Sequence, residues 1–153
     1  MLTKKAKYAL KAALHLARRE SDGAVLIAEI AAAEKIPKKF LESILLTMKN
    51  RGILVSRKGR GGGYALARPA AQVSFGEIVR IMDGPLAPVS CVSVTAYRGC
   101  EECPSEERCE IRRVMQRVRD AISDVLDATS LADAVSGRAL RRGATGGRGP
   151  GPG

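Results

Sequence analysis

The segment RKGRGGGYAL, residues 57–66, limits the possible folds more than any other part of the chain. It joins two β-rich stretches, ILVSRK and YALARP, through a basic, glycine-rich turn, and this pattern predicts a β-hairpin. A phosphate-binding loop would need a helix after the glycines and a Gly-Lys-Ser/Thr sequence, and this segment has neither. Three stretches of helical periodicity precede the hairpin.

Those three stretches predict helices over about 3–19, 26–36 and 37–52, the last beginning at Pro37 and ending at Gly52. His15, the only histidine, lies beside the apolar stripe of the first helix and is expected to be a packing or surface residue rather than a ligand. Each helix carries one apolar face that we expect to be buried. The predicted core residues are Ala6, Ala9, Leu10, Ala13, Leu14 and Ala17, then Leu26, Ile27, Ile30 and Ala31, then Phe40, Leu41, Ile44, Leu45 and Met48.

Two further helices are predicted after the hairpin. SFGEIVRIMDG begins at Ser74 with Glu77 three residues later, the pattern of a capping box. A long helix follows from Glu107 to about residue 136, with apolar residues at nearly heptad spacing and charged residues on its other faces. Such a seam favours pairing with a second copy, and packing across its own domain is the alternative.

Composition and charge agree with a mainly α fold that binds a polyanion. The chain has no Trp, two Phe and three Tyr, so its core must consist of Ala, Leu, Ile and Val. The net charge is +10, and residues 1–70 hold 15 Lys/Arg against 5 Asp/Glu. A basic surface of this kind suits nucleic acid, and a solvated surface without a partner is the alternative.

The order of the predicted elements divides the chain into four parts. Residues 1–84 are expected to form a winged helix-turn-helix domain, 85–109 a cysteine-rich sensor loop and 110–136 a dimerisation helix. Residues 137–153 are rich in Gly, Arg and Pro, and we expect them to be disordered. No apolar run approaches the roughly 20 residues that span a bilayer. Lys11 interrupts any signal-peptide core, so a cytoplasmic protein without a membrane partner is expected.

The order helix, helix, turn, helix, hairpin is that of a winged helix-turn-helix, in which the second helix of the pair enters the major groove of DNA. An ordinary helical hairpin is the alternative. Glu42 is placed to accept a hydrogen bond from a cytosine amine. If about six cations contact phosphates, the logarithm of the binding constant should fall with the logarithm of salt concentration at a slope of about −5. The candidate DNA-binding residues are Lys38, Lys39, Glu42, Ser43, Arg57, Lys58, Arg60 and Tyr64.

All four cysteines, Cys91, Cys100, Cys103 and Cys109, lie in one loop with the spacing C-x8-C-x2-C-x5-C. Reversible disulfides, structural zinc and an iron–sulfur cluster are the alternatives. Structural disulfides suit secreted proteins. Zinc sites prefer two Cys-x2-Cys pairs, and this chain has only one, formed by Cys100 and Cys103. Irregular spacing is common around iron–sulfur clusters.

Catalysis has no support in the sequence. With one histidine and no convincing nucleophile–base pair, no hydrolase or transferase site emerges, and neither an enzyme activity nor a small-molecule substrate is expected.

Four segments together resemble the Rrf-type winged helix-turn-helix regulators, the group that includes IscR, NsrR, RirA and CymR. They are LTKKAKYALKAALHLA, KIPKKFLESILLTMKNRGILVSRKGRGGGYALARP, SFGEIVRIMDG and ISDVLDATSLADAV. The resemblance covers residues 1 to about 136 and implies a homodimer formed through the 110–130 helix that binds palindromic promoter DNA. It places the DNA-reading positions on Lys39, Glu42 and Lys58. Arg60 departs from the proline or glycine common in the family.

The resemblance also implies an iron–sulfur cluster, of the 2Fe-2S or 4Fe-4S type, on Cys91, Cys103 and Cys109. Some members supply a histidine where this chain has Arg112, and others an acidic residue where it has Lys7, so Cys100 is the expected fourth ligand. The cluster would sense iron, redox state or nitric oxide. The alternatives are a regulator switched by thiol oxidation or a partner protein, and a zinc-stabilised RNA-binding or structural module.

Overall fold

The computed structural model describes residues 2–138, which form six α-helices and one two-stranded antiparallel sheet. The mainly helical fold with a small hairpin that the sequence predicts is confirmed. The elements are α1 (Lys4–Arg18), α2 (Ile27–Glu34), α3 (Lys38–Asn50), β1 (Leu54–Arg57), β2 (Gly63–Leu66), α4 (Phe75–Asp83), α5 (Glu110–Ala128) and α6 (Leu131–Val135).

Helix α1 lies at the centre of the core and packs against α2, α3, α4, α6 and β2. It begins at Thr3, whose Oγ accepts a hydrogen bond from the Ala6 amide at 3.1 Å. The small side chains on its buried face allow neighbouring backbones to approach closely. The fully buried alanines of this face are Ala6, Ala9, Ala12 and Ala13.

Polar contacts with one glutamate join α1 to α2. His15 is buried, and its Nδ1 lies 3.1 Å from Glu34 Oε1. The Lys11 ammonium donates to the Glu34 backbone carbonyl, which lies in the last turn of α2. His15 is therefore a packing residue that orients α2, in agreement with the sequence prediction.

Helix α3 buries most of its predicted face, but two predicted core residues are wrong. Leu26 is 56% exposed because it stands in extended backbone immediately before α2, outside the helical stripe. Phe40 is 37% exposed and makes an edge contact with Tyr8, with ring centroids 5.5 Å apart. The α3 residues that are fully buried as predicted are Leu41, Ile44, Leu45 and Met48.

The hairpin is fixed to the backbone that leads into α2. In its register Leu54 pairs with Leu66, and residues 58–62 form the tip. The backbone of Tyr64 exchanges two hydrogen bonds of 2.8 Å with Val25. Gly63 has φ +136°, and a Cβ at this position would lie 2.1 Å from the Val25 carbonyl oxygen. This close approach of two backbones requires glycine.

Helix α4 begins at Ser74, whose Oγ accepts from the Glu77 amide at 3.1 Å. Only this half of the predicted capping box forms. The Glu77 carboxylate instead accepts from Arg68 Nη2 at 2.5 Å, so it ties α4 to the chain that leaves β2.

The prediction of one uninterrupted helix up to about residue 136 is wrong. Helix α5 ends at Ala128, and α6 begins at Leu131 with its own capping box between Ser130 and Asp133. The Leu131 amide donates to the Val73 carbonyl at 2.9 Å, and its side chain is fully buried. Burial of Leu131 against the helical core therefore stops α5, and the helix predicted over 110–136 covers only 110–128.

Two other sequence predictions concern the tail and the membrane. Residues 139–153 of the predicted disordered tail lie outside the described residues. Within residues 2–138, no helix is both long and apolar enough to cross a bilayer.

We expect Gly63→Ala to lower the free energy of unfolding by about 3 kcal/mol, measured by chemical denaturation. An added Cβ must push the hairpin away from Val25 and break two backbone hydrogen bonds. Gly61→Ala is the matched control, because Gly61 has φ +72° but no atom within 4 Å of the added Cβ. It should cost about 1 kcal/mol for the left-handed backbone alone. Equal losses in the two variants would contradict the close-approach explanation.

Candidate nucleic-acid interface and cysteine loop

The first turns of α3 and the hairpin meet in a groove of about 400 Å³ beside the start of α2. The fold thus brings one half of the predicted DNA-binding set together from two separate elements, α3 and the hairpin. The members that line the groove are Lys38, Glu42, Arg57 and Tyr64.

The other predicted residues border this groove or have another role. Lys39 is exposed on α3, and Lys58 and Arg60 are exposed at the tip of the hairpin. Ser43 is exposed on α3, and its hydroxyl donates to the Phe40 carbonyl at 3.0 Å within the same helix. Tyr64 is half-buried against the core, so its clearest role is to hold the hairpin in place.

The cations on this surface are available for an external anion. Arg19, Arg68 and Arg80 elsewhere on the molecule form ion pairs with carboxylates. In the described part of the chain, the cations around the groove form none. These are Lys38, Lys39, Arg57, Lys58 and Arg60.

The groove is also lined by five residues outside the predicted DNA-binding set, namely Leu26, Ile27, Ala28, Ser56 and Gly63. Leu26 fits the apolar stripe of α2 by spacing and was assigned to the core, but it is exposed next to the basic residues. An apolar residue at this spacing can lie either in the core or on the exposed surface, and the sequence does not distinguish the two.

The four cysteines are free thiols in different surroundings. Cys91 is half-buried in a short 3-10 turn, and Cys100 is exposed. Cys109 is the N-cap of α5, and its Sγ accepts from the Arg112 amide at 3.4 Å. Between Cys91 and Cys109 the chain makes turns and bends only.

Three of the thiols influence one another. Partial burial raises the pKa of the Cys103 thiol, a backbone hydrogen bond from Ser105 opposes this rise, and the neighbouring Cys109 and Cys100 thiols add to it. A backbone hydrogen bond of 3.3 Å from Cys103 to the Cys100 carbonyl closes the turn between them. Cys109 and Cys100 are thus the thiols that act on Cys103, while Cys91 lies at the other end of the loop.

The thiol donor set fits an iron–sulfur cluster or zinc in its chemistry. Within residues 2–138, however, no three Cys, His, Asp or Glu side chains converge closely enough to hold a metal ion. Arg112 stands where the resemblance to Rrf-type regulators would place a histidine ligand. Its Nε donates to the Cys91 carbonyl at 3.4 Å. The residue types fit, but the loop would have to close for the four thiols to act together.

Helix α5 presents an uncovered apolar stripe. Ile111, Val114 and Val125 are 68%, 54% and 64% exposed. On the same stripe, Val118 and Ile122 border a groove of about 520 Å³ against the chain that follows α4. No α5 side chain is buried among the described residues.

One bidentate ion pair connects α5 to α4. Arg80 Nη1 and Nη2 donate to the two carboxylate oxygens of Asp127 at 2.6 and 2.9 Å. The hydrogen bonds raise the pKa of Arg80 and lower the pKa of Asp127. A Cβ on Gly76 would lie 1.9 Å from the Asp127 carboxylate, so the small residue allows the two helices to meet here.

The helix pair α2 and α3, the hairpin that follows it and the unpaired cations on their common surface define a winged helix-turn-helix protein. The model of the Rrf2 family, described as "Iron-dependent Transcriptional regulator", matches residues 2–137. The chain therefore belongs to the Rrf2 family of transcriptional regulators, which bind DNA and are not enzymes.

Relatives in several bacteria support this assignment. An rrf2-like HTH-type transcriptional regulator of Rhodobacter capsulatus is 44% identical over 139 residues, which cover 89% of this chain and 93% of that protein. The regulator CymR of Bacillus subtilis is 29% identical over 135 residues, which cover 88% of this chain and 89% of CymR.

Solved structures show the same fold. The structure of B. subtilis CymR, described as the global cysteine regulator, has a TM-score of 0.75 at 28% identity and covers 89% of this chain and 96% of that chain. The structure of T. potens IscR has a TM-score of 0.72 at 23% identity, covers 97% of this chain and 93% of that chain, and supports the fold alone.

Proposed function

We propose that this regulator acts as a homodimer that binds double-stranded promoter DNA and responds to the chemistry of its four cysteines. The observation that carries the proposal is the surface on which the start of α3 and the hairpin converge, with five cations that form no ion pair in residues 2–138. A surface of this kind matches the closely spaced phosphates of duplex DNA.

Different residues on this surface are suited to different contacts. Lys38 and Lys39 lie in the first turn of α3, where a recognition helix contacts base edges and phosphates. Glu42, one turn later, has an exposed carboxylate that can accept from a cytosine amine. Lys58 and Arg60 at the hairpin tip are suited to phosphates, which carry no sequence information.

The apolar stripe of α5 supports a dimer. Isolated proteins rarely leave a continuous row of exposed aliphatic side chains, and such a row commonly marks an interface. A two-fold pairing of α5 buries the same stripe on both copies and presents two α3 helices to two half-sites.

The cysteine loop supports the sensing part of the proposal. An iron–sulfur cluster on Cys91, Cys103 and Cys109, with Cys100 as the fourth thiolate, would supply a redox-active group whose presence changes the charge and shape of the loop. The donor type of the loop and the iron-dependent description of the family support this assignment. A relative in Yersinia enterocolitica that is named IscR is 30% identical over 135 residues.

The four free thiols of the loop also allow a second candidate, a thiol switch without a cluster. A peroxide would accept two electrons and two protons from the two thiols as the sulfur–sulfur bond forms, and would leave as two molecules of water or alcohol plus water. A related regulator, CymR of Staphylococcus aureus, has been solved in an oxidised form.

For DNA binding we expect Lys58→Ala and Glu42→Ala to act differently in titrations with operator and random duplexes. Loss of the Lys58 ammonium should weaken both complexes equally and reduce the salt slope by about 2, because a dimer loses two phosphate contacts. Loss of the Glu42 carboxylate should weaken only the operator complex, by about 1–3 kcal/mol per affected base pair.

The control for both variants is Arg117→Ala, which removes an exposed cation of α5 that has no hydrogen bond or ion pair in the described chain. It should leave the affinity and the salt slope unchanged. If Lys58→Ala also left the salt slope unchanged, the proposed interface would be wrong.

For the dimer we expect Val125→Glu to give a single-chain mass in sedimentation equilibrium, where the unmodified protein gives the mass of two chains. Val125 is 64% exposed, so the added carboxylate should disturb the interface and leave the fold of the monomer intact. Gln116→Glu places the same group on α5 outside the apolar stripe and should remain dimeric. A dimeric Val125→Glu protein would contradict pairing through this face.

For the cysteine loop we expect anaerobically purified protein to contain iron and sulfide in equal amounts and no zinc, and Cys100→Ala to lose most of both. Loss of one thiolate opens the coordination of a cluster held by four cysteines. Unchanged iron and sulfide in Cys100→Ala would exclude Cys100 as a ligand. Metal-free protein whose DNA affinity follows peroxide treatment would instead favour the thiol switch, and stoichiometric zinc with a preference for RNA would contradict both.

A further inference from the structure

Two arginines of α5 hold the arm of the loop that carries Cys91. Arg112 Nε donates to the Cys91 carbonyl at 3.4 Å, and Arg119 Nη1 donates to the carbonyl of the next residue, Val92. Arg112 and Arg119 are about two helical turns apart, so they lie on one side of α5. The 3-10 turn that contains Cys91 is therefore fastened to α5 at two consecutive carbonyls.

The other arm of the loop, which contains Glu106, is joined to Arg112 through the Glu106 carboxylate. One carboxylate oxygen of Glu106 lies 3.7 Å from Arg112 Nε, and the other accepts from the Tyr97 hydroxyl. A Cβ on Gly99 would lie 3.5 Å from both the Tyr97 hydroxyl and the Glu106 carboxylate, so the loop backbone passes directly over this contact. We call Tyr97, Glu106, Arg112 and Arg119 the arginine clasp.

Burial divides the loop into fixed and exposed parts. Val92 and Ser93 are 1% and 8% exposed, so the turn held by the clasp is also packed against the protein. Residues 94–102, which include Cys100, are all exposed. Cys109 is fixed as the N-cap of α5. The thiols at the two ends of the loop are thus held by α5, and between them lies an exposed stretch that Tyr97 ties to Glu106.

Arginine suits this role better than lysine. Its planar guanidinium can bind a backbone carbonyl and a carboxylate at the same time, whereas an ammonium acts as a point charge. Arg112 lies between both arms of the loop, with its Nε 3.4 Å from the Cys91 carbonyl and 3.7 Å from the Glu106 carboxylate. Arg119 joins the turn to α5 and also donates to Asp120 on its own helix at 2.9 and 2.7 Å.

We propose that Arg112 and Arg119 are positioning residues that transmit a chemical change at the thiols into α5. When the thiols are modified, the 3-10 turn that contains Cys91 and the arm that contains Glu106 move. The clasp then displaces α5 beyond its first turn, which is the turn that Cys109 caps. The proposal rests on the proposed function, because it specifies how the cysteine loop reaches the helix that we assign to the dimer. Without the clasp, a change at the thiols would remain in the loop.

The test compares full-length protein with Arg112→Gln and Arg119→Gln before and after alkylation of the thiols by N-ethylmaleimide. The first measurement is amide hydrogen exchange in residues 116–124, which excludes the turn capped by Cys109. The second is the affinity for operator DNA. Before alkylation all three proteins should unfold at similar temperatures and bind DNA within about twofold of each other, since the clasp lies outside the α3 and hairpin surface.

In the protein without substitutions, alkylation should change amide hydrogen exchange in residues 116–124. It should also change the DNA affinity by about fivefold or more, the range of typical allosteric coupling. In Arg112→Gln and Arg119→Gln both changes should fall below about twofold. Arg117→Gln is the matched control, because it removes a guanidinium from α5 that has no partner in residues 2–138, and it should respond like the unmodified sequence.

The two measurements separate the clasp from the proposed function. If both glutamine variants responded as strongly as the unmodified sequence, or if alkylation left exchange in residues 116–124 unchanged in all proteins, the clasp would be refuted. If exchange changed as expected but DNA affinity did not, the clasp would stand and the sensing part of the proposed function would fail.

Discussion

The fold depends on the close packing of other elements around one alanine-rich helix. Four alanines of α1 have no exposed surface, and four helices and one strand pack against it. Larger side chains at these positions would force the surrounding elements apart and leave the hydrophobic interior strained or incomplete. Because the chain has few aromatic residues, the domain obtains its stability from many short aliphatic contacts. The positions of α3, the hairpin and α4 all follow from this one centre.

Two sets of polar contacts fix the hairpin and α5 in their positions on the core. The bonds between Tyr64 and Val25 hold the hairpin beside α3, so the cations of both elements face the same groove. The Arg80–Asp127 pair holds α5 against α4 on another part of the core. The cysteine loop connects α4 to α5, and it can therefore influence α5 without contact with the DNA-binding surface. The two proposed activities, sensing and DNA binding, would therefore use different residues of the chain.

Local patterns predicted the helices and the hairpin well. The apolar spacing of α3 identified its four fully buried residues, and the glycine-rich segment identified the hairpin, because both signals depend on near neighbours in sequence. Leu26 was misassigned because its spacing matches α2, whereas it stands in extended backbone immediately before that helix. The break before Leu131 was missed because apolar residues resume directly after Thr129 and Ser130. It arises from a contact between Leu131 and Val73, which are far apart in the chain. The arginine clasp had no sequence signal, since Arg112 and Arg119 resemble the other arginines of a charged helix.

The sequence by itself determined the helical class, the basic half of the molecule and the concentration of every thiol in one loop. These features are properties of composition and of spacing along the chain, and they do not require knowledge of which elements meet. Only the tertiary structure decided which cations share a groove, where α5 ends and which side chains hold the cysteine loop. Each of these depends on contacts between residues distant in sequence, and such contacts exist only after the elements have packed around α1.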